Sequence, residues 1–131
     1  MDPNAGKQVL DVGAIQARLR VFAAERDWQQ FHNPKNLAMA LAGETGELLE
    51  IFQWLSPKES LSIRSDETAR QRVADELADI LQYLIRLADQ LDIDLPLALS
   101  RKLALNEVRY PVHRVKGSAE KQPHDPSQDD P

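Results

Sequence analysis

Residues 73–91 read VADELADILQYLIRLADQL, and Val73, Leu77, Ile80, Leu84, Leu87 and Leu91 advance through them by alternating steps of four and three. That stagger keeps six aliphatic side chains on one face of an α-helix, as in a seam packed against other helices. A strand would need alternation at every second residue, and no such pattern competes here. Ser65 is the expected N-cap of this helix, with Asp66 and Glu67 in the first turn, where the helix dipole favours negative charge. Asp92 to Asp94 is expected to end it.

The flanking segments also read as helices. On the N-terminal side, Ile15, Leu19, Phe22 and Ala23 recur at helical spacing and predict a first helix over about 12–30. His32-Asn33-Pro34 breaks it. Asn33 suits a cap and Pro34 the first position of a second helix, expected to run to about Leu55, before Ser56-Pro57. That helix is apolar nearly all round, which predicts burial. Leu61 and Ile63 suggest one helical turn in the connection to the seam helix. On the C-terminal side, Asp94 with Pro96 opens a last long helix reaching about Tyr110, before Pro111. The segments 1–11 and 116–131 are polar, and the second is Pro-rich, so both are expected to be flexible around a domain at 12–115. The fold class is therefore all-α, a bundle of helices.

Composition narrows the function. The chain has 131 residues, no cysteine and a net charge of −5, with a pI near 5.2. Disulfides and thiolate metal sites are excluded, and duplex nucleic acid is an improbable partner without clustered Lys and Arg. With neither a secretory signal nor an apolar run of ~18 residues, no membrane partner is expected and the location is expected to be cytoplasmic.

The second and third long helices carry the same arrangement. Glu44-Thr-Gly-Glu47-Leu-Leu and Glu76-Leu-Ala-Asp79-Ile-Leu each place two acids three residues apart on one helix face. The 28 residues between Glu47 and Glu76 (48–75) allow the two helices to lie side by side, so that four acids converge. From Asn36 through Pro57 there is no Lys or Arg to neutralise them. Two like charges 4 Å apart repel by about 4 kcal/mol at an effective dielectric near 20. Raised pKa values relieve part of this, and a divalent cation relieves it more directly. An all-oxygen ligand set favours a hard ion, and Mg²⁺ in particular, which completes its shell with waters and phosphates. Against this stands the ordinary reading of an acidic pair on a helix as a solvated face.

This ordered set resembles the signature of the all-alpha nucleoside triphosphate pyrophosphatases, the MazG-like superfamily, and is most similar to its dCTP pyrophosphatase branch. The likeness spans about Phe22 to Val115 and includes FAAERDWQQFH (22–32), GETGELLEIFQW (43–54), the run from Glu76 to Tyr83 and RYPVH (109–113). It implies a four-helix MazG-like bundle whose helical hairpins assemble into dimers or tetramers, a tetramer being favoured. It implies Mg²⁺-dependent hydrolysis of a nucleoside triphosphate, such as dCTP or a modified pyrimidine deoxynucleotide, to the monophosphate and pyrophosphate, with Mn²⁺ a possible substitute. The metal ligands it implies are Glu44, Glu47, Glu76 and Asp79. Trp28, Trp54 and Tyr83 would border the base, and His32, in the break before the second helix, could touch the same pocket. This chain departs from the pattern twice. Many MazG-type members carry a further acid where Gly43 stands, so its role is absent or passes to Glu50, and dCTP-type members can carry a His where Leu19 stands.

The site chemistry itself suggests roles. Glu47 is the expected group that orients or deprotonates the attacking water, with Glu50, one turn on, as runner-up. Lys102, Asn106 and Arg109 share a face of the last helix and are candidates for the distal phosphates, with Lys35 a weaker one. His32, His113 and His124 form no ligand set. The alternatives are a non-catalytic helical interaction module with an acidic docking face, and a hydrolase of another phosphate anhydride.

Overall fold

The structure, a computed structural model, describes residues 8–123 and is all-helical over them. Its elements are α1 (Val12–Glu25), α2 (Pro34–Phe52), α3 (Pro57–Ser62) with a 3-10 turn at Ile63–Ser65, α4 (Glu67–Gln90), α5 (Leu95–Arg109) and α6 (Val112–Val115). His124 and the outer parts of the two terminal segments lie outside the described residues. No described helix is long and apolar enough to cross a membrane. The chain forms two compact units that divide between Ile93 and Asp94.

Side-chain caps set where the helices start. Asp11, Asn33, Ser56, Asp66 and Asp94 each accept a hydrogen bond from the backbone N–H three residues on, at 2.9–3.1 Å, opening α1 to α5 in turn. Each satisfies a donor that the first turn leaves without a partner. The cap of α4 is thus Asp66, one residue later than the expected Ser65. Ser65 is held in the 3-10 turn, and the Asp66 carboxylate adds a charge that favours the dipole.

The helix ends correct the sequence reading more strongly. The first helix stops at Glu25, not near Gln30, because Asp27 adopts a left-handed conformation with φ 53°. Asp27 N–H then reaches the Ala24 carbonyl (3.1 Å) and Trp28 N–H the Ala23 carbonyl (2.9 Å), the paired closure of a Schellman turn. Asp92 repeats it after α4, with φ 53° and Ile93 N–H on the Ala88 carbonyl at 2.9 Å. Glycine usually takes this position, so its use by Asp27 hides the first stop from a sequence reading, whereas the second falls at the expected Asp92 to Asp94. The second helix ends at Phe52 rather than Leu55, in a tight turn closed by Leu55 N–H on the Phe52 carbonyl.

In the first unit α2 packs along α4, and α1 packs against α4 as well. The core is small: Leu37 and Ile85 are each 1% exposed, and Ala23 and Ala88 are buried with them. Two expectations about burial change here. The α4 stripe is not the buried seam of this chain, since Leu77, Leu84 and Leu91 are exposed and burial centres on Ile85, Arg86 and Ala88. The apolar α2 is likewise open at Met39 and Leu49. The two helices packed on it, α1 and α2, cover only one face of α4, and that face bears Ile85.

The second unit holds α5 and α6. Arg109, at the end of α5, donates from Nε and Nη2 to the Gln122 carbonyl at 2.9 and 2.6 Å.

Leu37→Ala removes a side chain that has no room to be replaced by water, and is expected to cost about 2–5 kcal/mol of stability. Urea unfolding followed by circular dichroism measures it, and a loss below 1 kcal/mol would contradict this account of the core.

Candidate functional site

The packing of α2 on α4 brings acids from both helices together. One carboxylate oxygen from each of Glu44, Glu47 and Glu76 lies within 4.8 Å of the other two. Glu44 and Glu76 are half-buried while Glu47 is exposed. The Oε2 atoms of Glu44 and Glu76 are shut off from solvent and have no hydrogen-bond partner. None of the ion pairs among the described residues involves these acids.

The electrostatics follow. Burial, then the Glu47 carboxylate and, beyond it, Glu76 and Asp79 push the Glu44 pKa from its ordinary 4.5 to about 7. Glu76 is raised too, by burial first and by the Glu47 charge second. Oxygens that are buried, unpartnered and mutually repelling are what a hard divalent ion would satisfy, and the set contains no His or Cys to favour a softer one. The residues present therefore fit such an ion.

Beside the acids lies a cleft of about 310 Å³, of the size that holds small ligands. Glu44 and Asp79 line it together with Trp28, His32, Tyr83 and Arg86. The Schellman turn after α1 delivers Trp28 to this wall, where its ring meets Phe22 edge-on at 5.8 Å and His32 at 6.2 Å. The His32 pKa is lowered, by burial first and by the Arg86 charge second.

Residues 40–124 match the MazG-like family. The chain belongs to that family.

Among proteins similar to this MazG-like chain are dCTP pyrophosphatase 1 of Rattus norvegicus, 50% identical over 98 residues, and dCTP pyrophosphatase 1 of Homo sapiens, 47% identical over 100. These alignments take in 75% and 76% of this chain but only 58% and 59% of the relatives, so the chain spans less than two thirds of their length. The crystal structure of a pyrophosphatase from Archaeoglobus fulgidus superposes with a TM-score of 0.72 at 37% identity, covering 79% of this chain and 95% of that one.

The other residues singled out in the sequence fall as follows. Asp79 shares the cleft with Glu44 and bears on its pKa, yet stands outside the group of three close oxygens. Glu50 is exposed on α2 and is not one of that group. Trp54, just past the end of α2, is 86% exposed and does not line the cleft. Lys35 is exposed in the first turn of α2. Lys102, Asn106 and Arg109 belong to the second unit, on α5, where Lys102 is exposed and Arg109 is engaged with Gln122.

Two lining residues escaped the sequence reading, Gln82 and Arg86. Arg86 had a usable signal: Asp79, Tyr83 and Arg86 follow one another by steps of four and three and so share a face. A lone Arg in an amphipathic helix is ordinarily read as solvated, and that ordinary reading hid it.

The pKa of Glu44 has a consequence for stability. Without metal, folded Glu44 still holds between pH 4.5 and about 7 a proton that the unfolded chain has released, so its contribution to stability is present below pH 4.5 and is lost as the pH rises through about 7. Wild type and Glu44→Gln, unfolded in urea with a chelator at pH 5 and pH 8, are expected to differ by an amount that shifts against the wild type at the higher pH. A difference independent of pH would show that Glu44 titrates normally.

Proposed function

We propose that this chain is a Mg²⁺-dependent nucleoside triphosphate pyrophosphohydrolase that converts dCTP or a modified pyrimidine deoxynucleotide to the monophosphate and pyrophosphate. The observation that carries the reading is the group of three carboxylates with two buried, unpartnered oxygens beside a cleft walled by Trp28 and Tyr83. Its family membership and its similarity to two proteins named dCTP pyrophosphatase 1 support the same choice.

Glu44, Glu47, Glu76 and Asp79 would hold the ion, Mg²⁺ by preference and Mn²⁺ as a substitute. When bound, a divalent ion there supplies neutralising charge for the triphosphate and lowers the pKa of a water. Glu47, the exposed member of the three, orients that water and takes its proton, with Glu50 one turn away as the second candidate. The water oxygen forms a bond to the α-phosphorus as the bond from that phosphorus to the bridging oxygen breaks, and the electron pair leaves with pyrophosphate. Trp28 and Tyr83 offer faces for the base, an interaction that contributes about 1–3 kcal/mol per base in proteins that stack single strands. Lys35, in the first turn of α2, is the proposed cation for the distal phosphates.

Incubation with dCTP and Mg²⁺ is expected to yield dCMP and pyrophosphate in equal amounts, and Glu47→Gln to lower kcat by about 10²–10⁴-fold, the usual contribution of a general base. Release of orthophosphate would move the chain to another class of phosphohydrolase, and no turnover across a panel of triphosphates would leave the non-catalytic interaction module.

The active form is proposed to be a homo-oligomer, a tetramer in preference to a dimer. Supporting this are the exposed Leu77 and Leu84 on α4 and Leu91 just past its end, Met39 and Leu49 on α2, and the almost fully exposed Trp54, together more apolar surface than a small monomer ordinarily leaves in water. In sedimentation velocity the wild type is expected to run as a tetramer and Leu49→Asp as a smaller species. A wild-type monomer at assay concentration would refute the assembly.

A further inference from the structure

Arg86 is the one buried charged residue among those described, with 5% of its surface exposed. Its guanidinium makes two contacts. Nη1 donates to Asp89 Oδ2 at 3.4 Å, and Nε donates to His32 Nδ1 at 3.3 Å. Asp89 is itself nearly buried and is gripped from the other side by Arg20, whose Nε lies 2.7 Å from Oδ2 and whose Nη2 pairs with Oδ1. The order runs Arg20, Asp89, Arg86, His32, and its last member lines the cleft beside Trp28.

The chemistry of the donors fixes the state of the imidazole. A guanidinium has five N–H groups and no lone pair to offer, so it can only donate. Nδ1 of His32 must therefore accept, and an accepting ring nitrogen carries no proton. A neutral imidazole has one N–H, which then sits on Nε2. The imidazolium form would set a second N–H against the guanidinium and is disfavoured, in keeping with the lowered pKa of His32.

We propose that Arg86 is a positioning residue for base selection: it holds His32 as the neutral Nε2–H tautomer, so that the cleft presents a fixed N–H donor to the ring edge of a cytosine. The inference rests on the function proposed above and names a determinant of its substrate. N3 of cytosine is a hydrogen-bond acceptor, whereas N3 of thymine or uracil carries a proton. A donor that cannot change its tautomer pairs with the first and is left facing another donor by the second. Sites that hydrogen-bond a polar group discriminate in this way because the wrong ligand leaves a buried group unpaired. Asp89 and Arg20 serve the same end one step removed, by neutralising and orienting the buried guanidinium.

Two measurements on the full chain test it. Long-range ¹H–¹⁵N correlation spectra distinguish the two neutral tautomers of a histidine, and the His32 signals are identified by their loss in His32→Gln. The wild type is expected to show Nε2–H, and Arg86→Met a mixture. The ratio of kcat/KM for dCTP to that for dTTP is expected to fall about tenfold in Arg86→Met, the effect of one hydrogen bond, and to be largely restored in Arg86→Lys, which keeps a donating cation. In a His32→Gln background Arg86→Met should leave the ratio unchanged, which a merely structural role for Arg86 would not produce. A proton on Nδ1 in the wild type overturns the proposal. So does an unchanged ratio in folded Arg86→Met, or an equal fall with and without His32. Should Arg86→Met fail to fold, the wild-type spectrum decides. Absence of any dCTP turnover by the wild type would overturn the proposed function and base selection with it, while the spectrum would still report on the Arg86–His32 pair.

Discussion

Mutual repulsion among carboxylates contributed by α2 and α4 is the constraint around which the first unit is organised. Glu44, Glu47 and Glu76 approach one another with no cation between them, and nothing local to the acids favours that approach. The opposing force is the burial of Leu37 and Ile85, where α2 lies along α4. Fully burying an aliphatic side chain contributes roughly 1.5–3 kcal/mol, so a core this small leaves little to spare for keeping like charges adjacent. Partial protonation of Glu44 relieves some of the repulsion at neutral pH. A bound cation would relieve more, and because it would bind the folded chain in preference to the unfolded one, occupancy would also stabilise the fold.

The placement of the basic residues serves the same arrangement. An Arg beside the three acids would satisfy them permanently and remove their affinity for an ion. Arg20 and Arg86, the basic residues of the first unit that make contacts across elements, are instead both committed to Asp89. Asp89, whose pKa is lowered by the Arg20 guanidinium in spite of its burial, keeps that commitment through the physiological pH range. The acids are left without a competitor, and the cleft still carries one positive charge, on Arg86, whose donors point at Asp89 and His32.

Much of this was legible in the sequence because it rests on spacing. Caps at Asn33 and Asp94 need no knowledge of tertiary structure, and each stands where the spacing put it, while of the four acids expected to converge Glu44, Glu47 and Glu76 come together and Asp79 stands outside that group. The failures share a cause. Asp27 ends α1 in a conformation that favours glycine, so that break carries no Gly or Pro to announce it, whereas the stop at Asp92 was read from the sequence. The stripe from Val73 to Leu91 identified a helix correctly but not the face its own chain would bury, since periodicity registers that a face is apolar and not what covers it. Arg86 was passed over for the complementary reason: its spacing put it on the face of Asp79 and Tyr83, but its burial depends on Asp89 and on His32, which lies 54 residues away in sequence.

The two Schellman closures explain how aromatic and acidic halves of the site keep their relation. The closure after α1 turns the chain at Asp27 and sends Trp28 and then His32 back across the cleft, and Gln30 braces that turn by donating to the Asp27 carbonyl at 3.0 Å. The closure after α4 ends that helix at Gln90, one residue beyond Asp89. Arg20, in α1, and Asp89, in α4, therefore join the two helices outside the small core. The acids answer to α2 and α4, whereas the aromatic wall answers to α1 and to the Asp89 pair. Substitutions that loosen the second linkage should disturb recognition of the base while leaving the three carboxylates where the buried Leu37 and Ile85 hold them, because the two linkages share only the helix α4.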